Sequence, residues 1–155
     1  MREQKSIGRL LAHLHRQGSI YLQRHLSTWG VGSGSHRLIL MLFHGEGVSQ
    51  RELARELHLD KAAVARMIKK LSQAGYIRKE VDPEDRRASK IHLTEDGREL
   101  VPQIRKVLNG WSNVLTGGFS PREQEEVLGL LERMSINAAG FIEKKNKNTS
   151  SSPAE

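Results

Sequence analysis

Two guanidinium groups stand side by side, Arg86 and Arg87, in the run Asp82-Pro83-Glu84-Asp85-Arg86-Arg87-Ala88-Ser89-Lys90. The run lies between two short β-branched segments, so it reads as a hairpin tip whose side chains reach away from any core. Cations that no core contact retains suit a phosphate backbone, and a tip carrying two of them suits the narrow groove between its strands. A second set lies upstream at helical spacing: Lys61, Arg66, Lys69 and Lys70. Arg66 falls one turn into that segment, where a guanidinium can fork onto guanine O6 and N7 or onto a phosphate. Lys69 and Lys70, one or two turns back, suit phosphate. Ala62 and Ala63 leave room for close approach and offer methyls to thymine. Ser49 and Gln50, at the start of the preceding helix, can donate to phosphate alongside free backbone amides. Each has a plainer reading as a solvated side chain, and capping alone accounts for Ser49. The whole pattern points to duplex DNA.

Those residues need a scaffold, and the chain supplies signals for one. Ile7, Leu10, Leu11, Leu14, Tyr21, Leu22 and Leu26 recur at three- and four-residue steps, predicting an amphipathic helix with Gly18 as its weak point. The glycine-rich stretch from Trp29 to Ser35 is a turn, and an almost wholly apolar helix follows from about His36 to His44. Ser49 and Glu52 have capping-box spacing for a helix from residue 50. Asp60 can cap a second helix from Lys61 to about Ala74, with Gly75 at the end where left-handed geometry is needed. Two capped helices joined by about three residues predict a helix-turn-helix. In the second, Val64, Met67, Ile68 and Leu71 share one face, leaving Ala62, Arg66, Lys69 and Gln73 on the other.

Ile77 to Val81 and Ser89 to Leu93 then read as an antiparallel pair, a wing. Thr94 caps a long helix through Leu100, Val101, Ile104, Leu108 and Trp111 to about Leu115, with Pro102 expected to bend or loosen it. Ser120 and Glu123 repeat the capping-box spacing with Pro121 between them. A last helix carries Val127, Leu130, Leu131, Met134, Ala138, Phe141 and Ile142, and the polar, low-complexity tail 144–155 is expected to be disordered. The expected fold class is mainly α with a small β wing. Residues 35–94 form the winged helix-turn-helix lobe, and 1–34 with 95–143 supply helices for dimerisation.

Composition narrows the partners. The formal charge is +7 over 155 residues, and Lys61 to His92 holds nine Lys or Arg against four acids, a net +5. About a fifth of the chain thus carries most of the net charge, favouring a polyanion. Cysteine is absent, which removes disulfides and thiolate metal sites and fits a reducing cytoplasm. The N-terminal stretch has charges inside its apolar run and does not resemble a secretory signal, and no window is apolar enough to span a bilayer. A soluble, cytoplasmic protein without a membrane partner is expected.

The other chemistries fare poorly. His13 and His15 point to different helix faces, and His36 and His44 lie at opposite ends of one helix, so no metal site is expected. The glycine-rich stretch follows a helix rather than a strand and lacks a Gly-Lys-Ser/Thr ending, so it is not a phosphate cradle. Adjacent acids such as Glu125 and Glu126 have no nucleophile implied nearby. No catalytic constellation or cofactor is expected.

Three spaced pieces carry a resemblance: Ser49-Gln50-x-Glu52-Leu53-Ala54, Leu71-x-x-x-Gly75, and Asp82-Pro83-x-Asp85-Arg86-Arg87 followed by Leu93-Thr94-x-x-Gly97. In their order, and over roughly residues 7 to 143, the chain resembles the MarR family of winged-helix transcription regulators. The resemblance implies a homodimer on an inverted-repeat operator, with the helix from Lys61 in the major groove and the wing in the adjacent minor groove. Arg87 would insert there with Asp85 steadying it by an ion pair, while Arg86 and Lys90 would contact backbone. It also implies a response, usually of a repressor, to small anionic aromatics. Arg16 and Arg66 would supply the cation, and Tyr21 and Trp111 an apolar wall. Alanine at 62, 63 and 65, where many members carry hydroxyls, departs from the pattern and thins hydrogen-bonded readout. Two other readings stay open: an architectural, nucleoid-type DNA binder without an inducer, and a winged helix that docks protein.

Overall fold

The computed structural model describes residues 6–32, 34–45, 47–82, 84–85 and 89–149, with side chains through residue 143. Helix α1 (Ile7–Leu26) leads through a single 3-10 turn (Ser27–Trp29) to α2 (Ser35–His44), β1 (Val48–Ser49), α3 (Gln50–Leu57), α4 (Lys61–Gln73), β2 (Ile77–Val81), β3 (Ser89–Leu93), α5 (Glu95–Leu115) and α6 (Pro121–Thr149). The fold is mainly α with a small three-stranded antiparallel sheet in the order β1-β3-β2. The chain forms two compact units, Met1–Ser112 and Asn113–Glu155.

Local chemistry sets the helix ends as the sequence suggests. Ser49 Oγ accepts from the Glu52 amide at 3.2 Å, and the Glu52 carboxylate accepts from the Ser49 amide at 2.8 Å. Ser120 and Glu123 repeat the box at 3.3 and 2.7 Å. Asp60 accepts from the Ala63 amide at 2.7 Å, and Gly75 takes the left-handed conformation, φ 82°, after α4. A cap of this kind contributes about 1 kcal/mol.

The ionised form makes the box, so hydrogen bonds from Ser49 and Ser120 hold Glu52 and Glu123 below the ordinary glutamate value of 4.5. A carboxylate whose pKa is depressed by folding stabilises above its unfolded value, and that contribution is lost as pH falls through the folded one. The melting-temperature gap between the parent and a Glu52→Gln, Glu123→Gln double variant is therefore expected to narrow as pH drops below about 4.5. A pH-independent gap would show that the ionised carboxylates are not what the boxes contribute.

The first unit has one continuous core. Leu26, Val31, Leu38, Ile39, Leu42, Leu53, Val64, Leu71, Ile91, Leu93, Val101 and Ile104 are fully buried, at about 1.5–3 kcal/mol for each large side chain. That core runs across residues 34 and 95. The end of α1 and the first half of α5 therefore pack with the winged lobe.

Several expectations are corrected. Gly18 does not weaken α1: it is buried inside an unbroken helix, and a Cβ there would stand 3.1 Å from the Trp111 indole nitrogen. Gly110 reciprocates, since its Cβ position lies 2.6 Å from the Tyr21 hydroxyl oxygen. Each glycine admits the other helix's aromatic ring, and that packing outweighs the roughly 1 kcal/mol that glycine costs in a helix.

Pro102 lies inside α5, which is one helix from Glu95 to Leu115. It is exposed while Val101 and Ile104 are buried, so its ring lies on the side of the helix turned away from the core. The tail expected to lose structure at 144 instead stays helical to Thr149. Residues 144–149 are Lys, Asn and Thr without Gly or Pro, and extending an existing helix avoids the cost of nucleation. Residues 150–155 lie outside the described residues.

Strand β1 has no counterpart in the sequence reading. Two residues carry no alternation of their own; Val48 and Ser49 are a strand because they pair with Ile91 and Lys90.

Of the side chains of α6 through residue 143, none is buried. Leu128, Leu130, Leu131, Ile136, Phe141 and Ile142 are all exposed, as are Ile7, Leu10, Leu11 and Leu14 of α1. No helix among the described residues is long and apolar enough to cross a membrane.

Candidate nucleic-acid interface

The core side of α4 is Val64, Ile68 and Leu71, all buried, which turns the opposite face outward. Lys61, Ala62, Ala65, Arg66, Lys69, Lys70 and Gln73 are exposed and Ala63 is half-buried. The helix holds four cations and no acid. Among the described residues, Lys61, Arg66, Lys69 and Lys70 make no ion pair. With no carboxylate paired to them among the described residues, these cations form a positive surface open to an outside anion.

The start of α3 lies beside the start of α4. Gln50 Nε2 donates to the Lys61 carbonyl at 3.3 Å, tying the two helices of the helix-turn-helix at the end where both present free amides. Ser49, Gln50, Arg51, Ala54, Lys61, Asp85 and Ser89 line a groove of about 690 Å³ there. Four residues predicted from sequence, Ser49, Gln50, Lys61 and Asp85, thus converge on one concavity between the helix-turn-helix and the wing. Arg51 and Ser89 were missed. Arg51 sits inside the capping-box run with no partner implied by spacing, and Ser89 reaches the groove only through the sheet.

The wing strands have the predicted bounds, paired from Ile77 opposite Leu93 to Val81 opposite Ser89. Arg86 and Arg87 lie outside the described residues. Asp85 is exposed on the approach to them.

Lys90 is not a free cation. Its ammonium lies 3.4 Å from Asp82 Oδ2, and the other Asp82 oxygen accepts the Glu84 amide at 3.0 Å. That amide, followed by Lys90 and the Asp85 amide, holds the Asp82 carboxyl below its usual range. Glu80 receives Arg78 at 2.8 Å and faces His92 at 3.4 Å. Arg78 and Lys90 of the strands are thus matched by acids, where among the described residues the cations of α4 are not.

The proposed ligand residues divide. Tyr21 and Trp111 come together with ring centroids 5.2 Å apart, and His25 stacks on Tyr21 at 4.1 Å. Arg16 and Arg66 are exposed and make no hydrogen bond, ion pair or ring contact among the described residues. Arg16 stands about 140° around α1 from Tyr21. Among the described residues no cluster of three metal-ligating side chains occurs.

Comparison with known proteins agrees with this geometry. A family model described as MarR family matches residues 29–88. The crystal structure of a MarR transcriptional regulator from Methanosarcina mazei Go1 is 33% identical, covers 87% of this chain and 97% of its own, and superposes with a TM-score of 0.82. The HTH-type transcriptional regulator BilQ of Clostridioides difficile strain CD3 is 26% identical over 124 residues, 80% of this chain and 84% of that protein. The HTH-type regulator YybA of Bacillus subtilis strain 168 is 29% identical over 117 residues, 74% and 78% of the two chains.

Proposed function

Because the chain belongs to the MarR family of DNA-binding transcription regulators, we propose that it acts as a homodimer on an inverted-repeat operator, with α4 in the major groove and the wing in the adjacent minor groove. Regulation rather than catalysis is its activity. The observation that carries the proposal is the outer face of α4, four cations with no acid between them, beside the groove that α3 and the wing share. Lys61, Lys69 and Lys70 serve phosphates, with Ser49, Gln50 and the groove's Arg51 adding contacts along the backbone. Arg66 reads a base edge, and Ala62 and Ala63 lie flat against the floor of the groove. Arg87, steadied by Asp85, takes the minor groove, and Arg86 the backbone.

The dimer is supported by α1 and α6. Each exposes a row of large apolar side chains, more than a monomer usually leaves in water, and a two-fold partner would cover both. The exposed faces of residues 1–34 and 95–143 supply that interface, and 35–94, packed with the end of α1 and the first half of α5, the reading lobe. Two-fold symmetry would put half-sites about one helical turn apart. A response to a small anionic aromatic effector belongs to the same reading, supported by the half-buried Tyr21 and Trp111 rings. By linkage, such a ligand would bind less tightly once DNA is bound. Repression is the expected sign, and the cytoplasm the expected compartment.

Selection from random duplex, followed by binding and sedimentation, tests the proposal. The expected result is a palindrome bound by a dimer, with affinity falling by roughly 10³ or more between 50 and 200 mM salt. A monomer without preference for any palindrome would sink it. One observation favours a second reading, an architectural DNA binder: the exposed alanines leave few hydrogen-bonding groups at the reading end of α4. Random duplex competing as well as the selected site would establish that reading in its place.

A further inference from the structure

We propose that Lys90 is a positioning residue, which ties the two wing strands together at the base of the tip through Asp82 and uses its charge inside the protein instead of on DNA phosphate. This rests on the DNA-binding reading above and reassigns one of its cations. Lys90 occupies the middle strand, opposite Ser49 of β1 on one side and Glu80 of β2 on the other. Its ammonium meets an Asp82 side chain that is only 14% exposed, while the lysine itself is 44% exposed. The pair is anchored at the acid.

Asp82 does two things at once. One oxygen closes the turn out of β2 through the Glu84 amide, and the other receives Lys90. The tether therefore joins the two strands where they hand over to the tip. The lysine stem also passes 3.5 Å from where a Cβ on Gly47 would stand, on the lead into β1 and α3. Lys90 lies near enough to the capping carboxylate of α3 to help lower the Glu52 pKa. The Lys90 ammonium thus pairs with Asp82, has Glu80 opposite it in the sheet and acts on Glu52 at longer range, while among the described residues the cations of α4 make no ion pair.

An ion pair this exposed contributes little to stability. Its effect lies in where it puts the wing, and through the wing in how tightly DNA is held.

Two substitutions separate positioning from contact. Asp82→Asn keeps an oxygen for the Glu84 amide but removes the charge that holds Lys90; Lys90→Met keeps the stem and removes the ammonium. If Lys90 positions the wing, each variant of the full chain weakens operator binding by about threefold to tenfold, and the double variant is no weaker than the worse single, as for two residues acting through one contact. If Lys90 instead binds phosphate, removing the acid beside it tightens binding, and the two effects multiply. Tightening by Asp82→Asn, or multiplicative losses, would overturn the proposal.

A second measurement needs no DNA. Hydrogen exchange of the Ser89, Lys90 and Ile91 amides in the free protein is expected to accelerate in both variants at unchanged global melting temperature, and unchanged exchange overturns the tether. A parent that binds no duplex would fail the DNA-binding reading, while exchange would still decide the tether.

Discussion

Gly97→Ala is expected to destabilise the protein by about 3 kcal/mol and lower its melting temperature by roughly 6–12 °C, although alanine is the better helix former. The position lies in the first turn of α5, where helix propensity alone predicts a gain of about 1 kcal/mol. Its surroundings predict the reverse. A Cβ at Gly97 would overlap the Tyr76 carbonyl oxygen outright and stand 3.1 Å from a Leu93 methyl.

Backbone cannot yield there as a flexible side chain would. The Tyr76 carbonyl accepts the Thr94 amide at 3.0 Å. Thr94 Oγ1 donates to the Gly75 carbonyl at 2.6 Å and accepts the Gly97 amide at 3.1 Å. One threonine thus ties the turn after α4, the end of β3 and the cap of α5, and Gly97 is what lets them come so close. Thermal unfolding monitored by circular dichroism measures the loss. A variant melting at or above the parent's temperature would mean that propensity governs this position and the junction is slack.

That junction also separates what the sequence reveals from what it hides. The caps at Ser49, Asp60 and Ser120 and the wing strands were legible because their signals are local: an oxygen three residues before the amide it accepts, or alternation closed by a turn. The features missed depend on partners distant in sequence. Gly18 reads as a helix weakness until Trp111 is known to fill the space beside it. Val48 and Ser49 become a strand only through β3. Lys90 reads as a free cation because Asp82 is eight residues away, brought near by strand register. The end of α6 differs, since a polar run predicts exposure, which a solvated helix satisfies as well as a disordered tail. The place of Arg16 is legible in the same way, since counting around α1 sets it about 140° from Tyr21.

The same distinction shapes the second large effect, at Arg66, whose position on α4 was legible and whose isolation was not. The residue is exposed, sits among alanines, and meets no acid among the described residues. On the reading end of α4 it is the one side chain able to fork onto a base edge, so sequence preference should concentrate on it. Arg66→Ala is expected to weaken binding to the selected operator by about tenfold to hundredfold, the worth of one bidentate guanine contact, and to weaken binding to random duplex much less. Melting temperature should scarcely move, because no protein contact is lost. Arg66→Lys should recover phosphate affinity but not preference, since an ammonium lacks the fork. Replacing operator thymines with deoxyuridine provides the complementary test of Ala62 and Ala63. It removes only the methyl each alanine can touch, at about 0.8 kcal/mol or roughly three- to fivefold per contact. If Arg66→Ala weakened operator and random duplex equally, Arg66 would be one more phosphate ligand. Specificity would then have to come from the shape of the DNA and from the wing.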